Sequence, residues 1–276
     1  KDLLNAAGIP NPPETWTQFQ DQAKKLVKLD PQGNIVQAAV GLGTAYNVER
    51  GVDVLQALMI QNGAQMADDN GSPTFQRIPA NLNREFPPSY QALEFYTDFA
   101  NPAKETFTWD SRQPNSLDAF IAGKTAFFFG YSFDVPLINA RAPKLNLGMS
   151  KLPQIEGNPT KNFANYWYWT VSKKTKNLDI AWNLLNFMAK PEESKKFLDL
   201  AKRPAARKSQ LTAQLDDDTI GVFAAQVLTA TSWYRGKDPK AVEEAFLTMI
   251  NDVQTGVQQI DKAVNFAAEK VSQTMN

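Results

Sequence analysis

The sequence predicts an α/β protein whose final third is almost wholly helical. Two patterns carry that expectation. Short strand-like runs, such as residues 35–40 and 125–129, alternate with segments whose apolar residues recur at helical spacing. From Asn177 onward the spacing is helical throughout, interrupted only by Pro and Gly. The chain has 276 residues, enough for one large domain or two modest ones with a substantial core.

In order, Pro12-Pro13 precedes a helix start. Thr15 with Gln18 three residues later matches a capping box, in which side chains satisfy free amides of the first turn. Trp16, Phe19, Ala23, Leu26 and Val27 then share one face. Residues 35–40 read as a strand ending in Gly41-Leu42-Gly43. A helix over 49–61 turns Val52, Leu55, Leu58 and Met59 inward and closes at Gly63. Residues 67–86, rich in Asn, Asp and Pro, read as loop. A helix over 89–101 aligns Leu93, Tyr96 and Phe99. A short helix over 114–123 leads into a strand over 125–129, then a turn and short helix over 131–140. A strand near 145–149 and a Pro/Gly-rich loop over 153–159 follow, and 165–171 alternates as an extended segment. Helices are expected near 178–189, 192–201, 217–230, 239–255 and 257–274. Asp238-Pro239 is a strong opening for the fourth of these, an Asp cap followed by Pro at the first helical position.

Composition excludes several function classes. Lys+Arg and Asp+Glu both number 29, so the basic excess that favours DNA or an anionic membrane is absent. There is no His and no Cys. Ordinary zinc, copper and haem sites are therefore excluded, as are Ser-His-Asp and Cys-His nucleophiles. No cofactor is expected. No apolar run approaches the ~20 residues that span a bilayer. The opening residues carry no signal peptide and read as the interior of a longer chain.

Familiar motifs fail on inspection. Gly41-Leu42-Gly43 lacks the third glycine of a dinucleotide fingerprint. Asp68-Asp69-Asn70-Gly71-Ser72 has Met66 where a calcium loop needs its first Asp, and reads as a surface turn. Gly130-Tyr131-Ser132-Phe133-Asp134 fails as a serine elbow at its last position.

The aromatic clusters are the positive signal. In Tyr166-Trp167-Tyr168-Trp169 alternation sends the tyrosines to one face and the tryptophans to the other, and burying both would leave hydroxyl and indole donors in need of partners. Trp233-Tyr234-Arg235 lies in a loop just before Asp238. Tyr131 and Phe133 follow a strand end, the usual place for ligand contacts in open α/β sheets. Flat rings complement the C–H faces of pyranoses, with Asn, Asp, Glu, Arg and Tyr suited to the hydroxyl rim. Simple core packing of the same rings is the competing explanation.

Several segments occur in register with one known family. They are Lys1-Asp2-Leu3-Leu4, Ala7-Gly8-Ile9-Pro10, Pro12-Pro13-Glu14-Thr15-Trp16, Ala119-Phe120 with Gly123-Lys124-Thr125-Ala126, Leu152-Pro153, Val171-Ser172-Lys173, Ala181-Trp182 and Arg203-Pro204-Ala205. From end to end the chain resembles the extracellular solute-binding proteins of ABC importers, of the maltose-binding type. The resemblance implies a periplasmic-binding-protein-like fold of type II, in which two α/β lobes joined by crossing strands close around a solute. Residues 1–168 and 226–276 would form the second, C-terminal lobe, and 169–225 a return segment into a first lobe otherwise missing from this chain. It further implies a monomeric, non-catalytic receptor that works outside the cytoplasmic membrane, in a periplasm or lipid-anchored. Its partners would be a small solute, expected to be a carbohydrate, and the membrane permease subunits of the importer.

Carried over by position, the ligand contacts would be Tyr46 and Asn47, then Phe133 in place of a family tryptophan, with Tyr131 or Ser132 as alternatives. Asn165, Tyr166 and Trp167 replace a segment often glycine-rich in the family, and Trp233, Tyr234 and Arg235 resemble its late aromatic loop. The alternatives are a carboxylate-based glycoside hydrolase or lyase, or a receptor for a peptide, polyol or polyamine.

Overall fold

The computed structural model describes residues 1–275. A one-turn helix, α1 (Asp2–Ala6), precedes α2 (Trp16–Leu26), which begins where its cap dictates. The Thr15 hydroxyl accepts the Gln18 N–H at 3.2 Å, and the Gln18 side chain reaches back to accept the Glu14 N–H at 2.8 Å. Trp16, Phe19, Ala23 and Leu26 fall on one stripe and are buried, while Val27 leaves the helix as its extended cap.

The hairpin β1 (Lys28–Leu29) and β2 (Ile35–Val40) is antiparallel, and β3 (Thr125–Phe127) lies parallel to β2 on its other side. The long crossover between β2 and β3 carries α3 (Gly51–Gln61), α4 (Pro88–Asp98) and α5 (Ser116–Ile121). Most of α3 is buried, in keeping with its nearly continuous apolar sequence. After β3 come α6 (Asp134–Arg141) and β4 (Asn162–Phe163). The chain continues through α7 (Leu178–Met188), α8 (Pro191–Ala201), α9 (Lys208–Gln214) and α10 (Gly221–Ala224), then β5 (Ala230–Thr231), which pairs in parallel with β4. Finally α11 (Pro239–Gln254) and α12 (Ile260–Gln273) form an antiparallel pair packed on α4. Asp238 caps α11, its carboxylate accepting the N–H groups of Lys240 and Ala241 at 3.1 Å.

One core joins α2, β2, α3, α4, α11 and α12, with Phe19, Phe75, Phe99, Trp109 and Phe246 among its fully buried rings. A separate small cluster holds Ala205, Leu211, Ile220 and Ala224. Helix α7 belongs to neither core. Its Leu178, Ile180, Trp182, Leu184 and Phe187 are all exposed, and α8 likewise exposes Phe197 and Leu200. No described helix is long and apolar enough to cross a membrane.

Two expectations need correction. Residues 145–149 form no strand. Leu147 N–H turns back onto the Leu145 carbonyl at 2.8 Å, and Asn146 is tied instead to the first residues, accepting from the Lys1 amine at 2.6 Å and donating to Asp2 at 2.7 Å. The helix expected over 217–230 is broken into α10 and a 3-10 turn at Val227–Thr229, and α9, ahead of it, was not anticipated. Asp217 stops the run by accepting the N–H groups of both Thr219 and Ile220 at 2.8 Å, which starts a new turn. Gly221 then crosses so close to the preceding chain that a Cβ there would lie 2.4 Å from the Leu215 carbonyl oxygen. The alternating residues 166–169 lie outside any strand, and all four rings are exposed, so their hydroxyl and indole donors meet solvent.

Candidate ligand-binding site

Five of the sequence-predicted site residues converge beside α3: Tyr131, Phe133, Asn165, Trp233 and Arg235. Tyr131 and Phe133 are held by the turn between β3 and α6. The Tyr131 N–H donates to Asp134 Oδ2 at 2.8 Å, and the turn is tight enough that a Cβ on Gly130 would meet the Phe128 ring at 2.6 Å. The Tyr131 and Phe133 rings stack at 5.5 Å between centroids and 24°. The Arg50 guanidinium lies 5.9 Å and 5.3 Å from those two centroids, and Arg203, from the segment after α8, stands 5.6 Å from that of Phe133.

The residue that gathers this group is Asp53, on the first turns of α3. Its Oδ2 accepts from the Tyr131 hydroxyl at 2.9 Å and from Asn165 Nδ2 at 3.3 Å, and its Oδ1 accepts from Arg235 at 3.0 Å. Burial, and then the adjacent Asp53 carboxylate, push the Tyr131 phenol well above its ordinary range, so it remains a donor. One turn further along α3, Gln56 accepts the Trp233 indole N–H at 3.2 Å. Asp134 is buried, and desolvation raises its carboxyl above the usual value of 3.8.

Trp233 has a second neighbourhood. Together with Tyr234 it lines a concavity of about 780 Å³ at the other end of α3, whose wall includes Ile60, Asp69, Asn81 and Lys161. That volume lies within the range of roughly 300–1,000 Å³ usual for small-molecule sites. Asp53, Tyr131, Phe133 and Arg235 do not line it. Asp68, also on its wall, is engaged in a turn: its carboxylate accepts the N–H groups of Asn70 and Ser72 at 2.9 and 2.8 Å. The motif read as a surface turn is one.

The remaining predicted residues stand apart from the Asp53 cluster. Tyr46, Tyr166 and Trp167 project into solvent, at 64, 67 and 85 % exposure. Asn47 is a tie between loops, its side-chain amide donating to the carbonyls of Asp110 and Gln113 at 2.9 and 3.0 Å while its Oδ1 accepts the Thr44 hydroxyl. Sequence reasoning missed Arg50, Asp53 and Gln56. The available signal was Asp53 and Gln56 themselves, two polar residues three apart in a helix otherwise apolar from Val52 to Met59.

A family model described as bacterial extracellular solute-binding protein matches residues 1–195. Among solved structures, the fold is similar to that of an ABC transporter solute-binding protein from Thermotoga lettingae bound with α-D-tagatose, with a TM-score of 0.71 and 21% identity, covering 100% of this chain and 69% of that one. The sugar-binding protein MalE of Xanthomonas citri gives a TM-score of 0.74 at 17% identity, over 99% of this chain and 66% of that one. The GacH receptor of Streptomyces glaucescens, studied with acarbose, gives 0.73 at 17% identity, over 100% and 68%. These likenesses establish a shared fold, of which this chain spans about two thirds. With more than half of its length matched by the family model, the chain belongs to the bacterial extracellular solute-binding proteins.

Proposed function

We propose that this chain is the greater part of the capture component of an ABC importer, which binds a sugar or oligosaccharide and delivers it to a membrane permease without chemical change. The observation that carries the reading is the pairing of Trp233 and Tyr234 with Asp69, Asn81 and Lys161 around one open concavity. Rings offer flat apolar faces and the polar side chains offer hydroxyl partners, which is the combination a pyranose requires. Family membership, and relatives described with tagatose and acarbose, point the same way.

We assign residues 1–168 and 226–276 to one lobe and 169–225 to a segment that completes the other. The packing of α11 and α12 on α4 supports the first assignment, and the separate cluster around Leu211 supports the second. The exposed apolar residues of α7 fit a helix whose partner is the rest of that lobe. The parallel pair β4–β5, which lies a few residues from each proposed boundary, fits a place where the chain crosses between lobes. Solute would then favour a closed arrangement, because only that arrangement brings both lobes onto it. Such a receptor works outside the cytoplasmic membrane.

The test is a thermal-shift screen of the full-length protein against mono- and oligosaccharides, with chromatography of the recovered sugars. A receptor raises its melting temperature with a sugar and returns that sugar intact. Hydrolysis or elimination products identify an enzyme instead, and stabilisation by peptides, polyols or polyamines alone moves the solute class.

A further inference from the structure

We propose that Asp53 is a positioning residue for this receptor: it ties three loops together and, through Arg235, fixes the loop that carries Trp233 and Tyr234 to the wall of the concavity, without touching the solute itself. The inference rests on the receptor reading above. Asp53 is joined through one carboxylate to Tyr131, Asn165 and Arg235, partners 78, 112 and 182 residues away in sequence. They come from the turn after β3, the segment after β4 and the loop before α11. None of these stretches is held by a regular ladder or helix at the residue concerned, so each side chain owes its placement to contacts of this kind.

The carboxylate is well suited to the task. It sits on a rigid, buried helix, in the first turn, where the positive end of the helix dipole favours an anion. Its side chain is 12 % exposed and that of Arg235 is 23 %, so water competes weakly for the pair. Arg235 in turn lies 5.5 Å from the centroid of the Phe163 ring on β4. The fixed hub therefore reaches the β4–β5 crossing as well as the ring of Tyr131. Three donors occupy the carboxylate. Its influence on a solute runs through what it holds: with Arg235 pinned, the neighbouring Trp233 and Tyr234 lose little further freedom on binding, and that preorganisation strengthens affinity.

The experiment uses the full-length protein and titration calorimetry with glucose, maltose, mannobiose and tagatose. Asp53→Ala should weaken the tightest of these by at least tenfold, and Asp53→Asn by less, since its amide oxygen can still accept from Tyr131. Tyr131→Phe keeps the ring but loses the anchor, and should also weaken binding. The double variant Asp53→Ala/Tyr131→Phe should bind no worse than Asp53→Ala alone, because both remove the same constraint. A purely structural Asp53 would lower the melting temperature while leaving the dissociation constant within twofold of wild type, which overturns the proposal. So would effects of the two substitutions that multiply. A readout independent of sugar is the ¹³Cζ tyrosine spectrum at pH 7. Asp53→Ala should shift the Tyr131 resonance and leave that of Tyr96 in place, and an unmoved Tyr131 refutes the hub. Failure of all four sugars on the wild type, with that shift present, counts against the saccharide reading and in favour of the positioning role.

Discussion

Replacing Trp233 separates the two tasks its side chain performs. One edge of the indole packs on the core, 6.3 Å from the Phe75 centroid and 6.1 Å from that of Phe246, and its N–H donates to Gln56 at 3.2 Å. The ring also borders the concavity. Gln56 is fully buried and its Nε2 has no partner among the described residues, so the indole is the only side-chain partner that amide has. Trp233→Phe keeps an apolar ring but leaves the Gln56 oxygen unpaired. That should cost about 1–3 kcal/mol of stability with modest loss of sugar affinity. Trp233→Ala removes the ring as well and should weaken binding by about 1–3 kcal/mol, roughly 5- to 150-fold. Urea unfolding measures the first quantity and titration calorimetry on the full-length protein the second. If Trp233→Ala binds as wild type does, Trp233 is a core residue only. If Trp233→Phe is as stable as wild type, the Gln56 bond contributes nothing.

Other outcomes follow from the packing. Phe246→Ala empties a fully buried site against Phe75 and Trp233, and should cost about 3–5 kcal/mol in urea unfolding. Thr15→Ala removes the side-chain cap of α2 and should cost about 1 kcal/mol in the same assay, with Thr15→Ser recovering most of it. Burial holds the Asp134 carboxyl above 3.8, so the native state retains a proton that the unfolded chain releases first. Asp134 therefore lowers stability above its folded-state value, and the penalty fades as pH falls through that value. The advantage of Asp134→Asn over wild type should be greatest at pH 7 and shrink toward pH 4. An equal advantage at both would contradict the assignment.

The elements legible in the sequence are those whose ends carry their own chemistry. Thr15 with Gln18, and Asp238 with Pro239, announce helix starts by groups that satisfy local amides, and α2 and α11 begin there. The periodicity of 35–40 likewise yields β2 residue for residue. The failures lie where distant parts decide. Leu145, Leu147 and Met149 alternate as a strand would, yet they pair with no strand among the described residues and Asn146 is held by Lys1 and Asp2. The acidic run 216–218 suggests a helix start, but Asp217 caps a turn and the helix begins only at Gly221.

The candidate site divides in the same way. Rings are visible in a sequence, and Tyr131, Phe133, Trp233 and Tyr234 stand on the cluster beside α3 or on the concavity. A hub is not visible, because Asp53 acquires its meaning from partners as far as 182 residues away. Asn47 illustrates the converse. The family resemblance implied a ligand contact there, while its amide donates to the backbone carbonyls of Asp110 and Gln113. Tyr166 and Trp167 are exposed in a segment adjoining the part we assign to the other lobe.

A crystal structure of the full-length protein with its tightest-binding saccharide tests the central claim most directly. The account predicts a pyranose ring within about 4 Å of the Trp233 or Tyr234 ring, with hydroxyls bonded to polar side chains of the same wall. A sugar bound elsewhere, touching neither the concavity nor the Asp53 cluster, would contradict it.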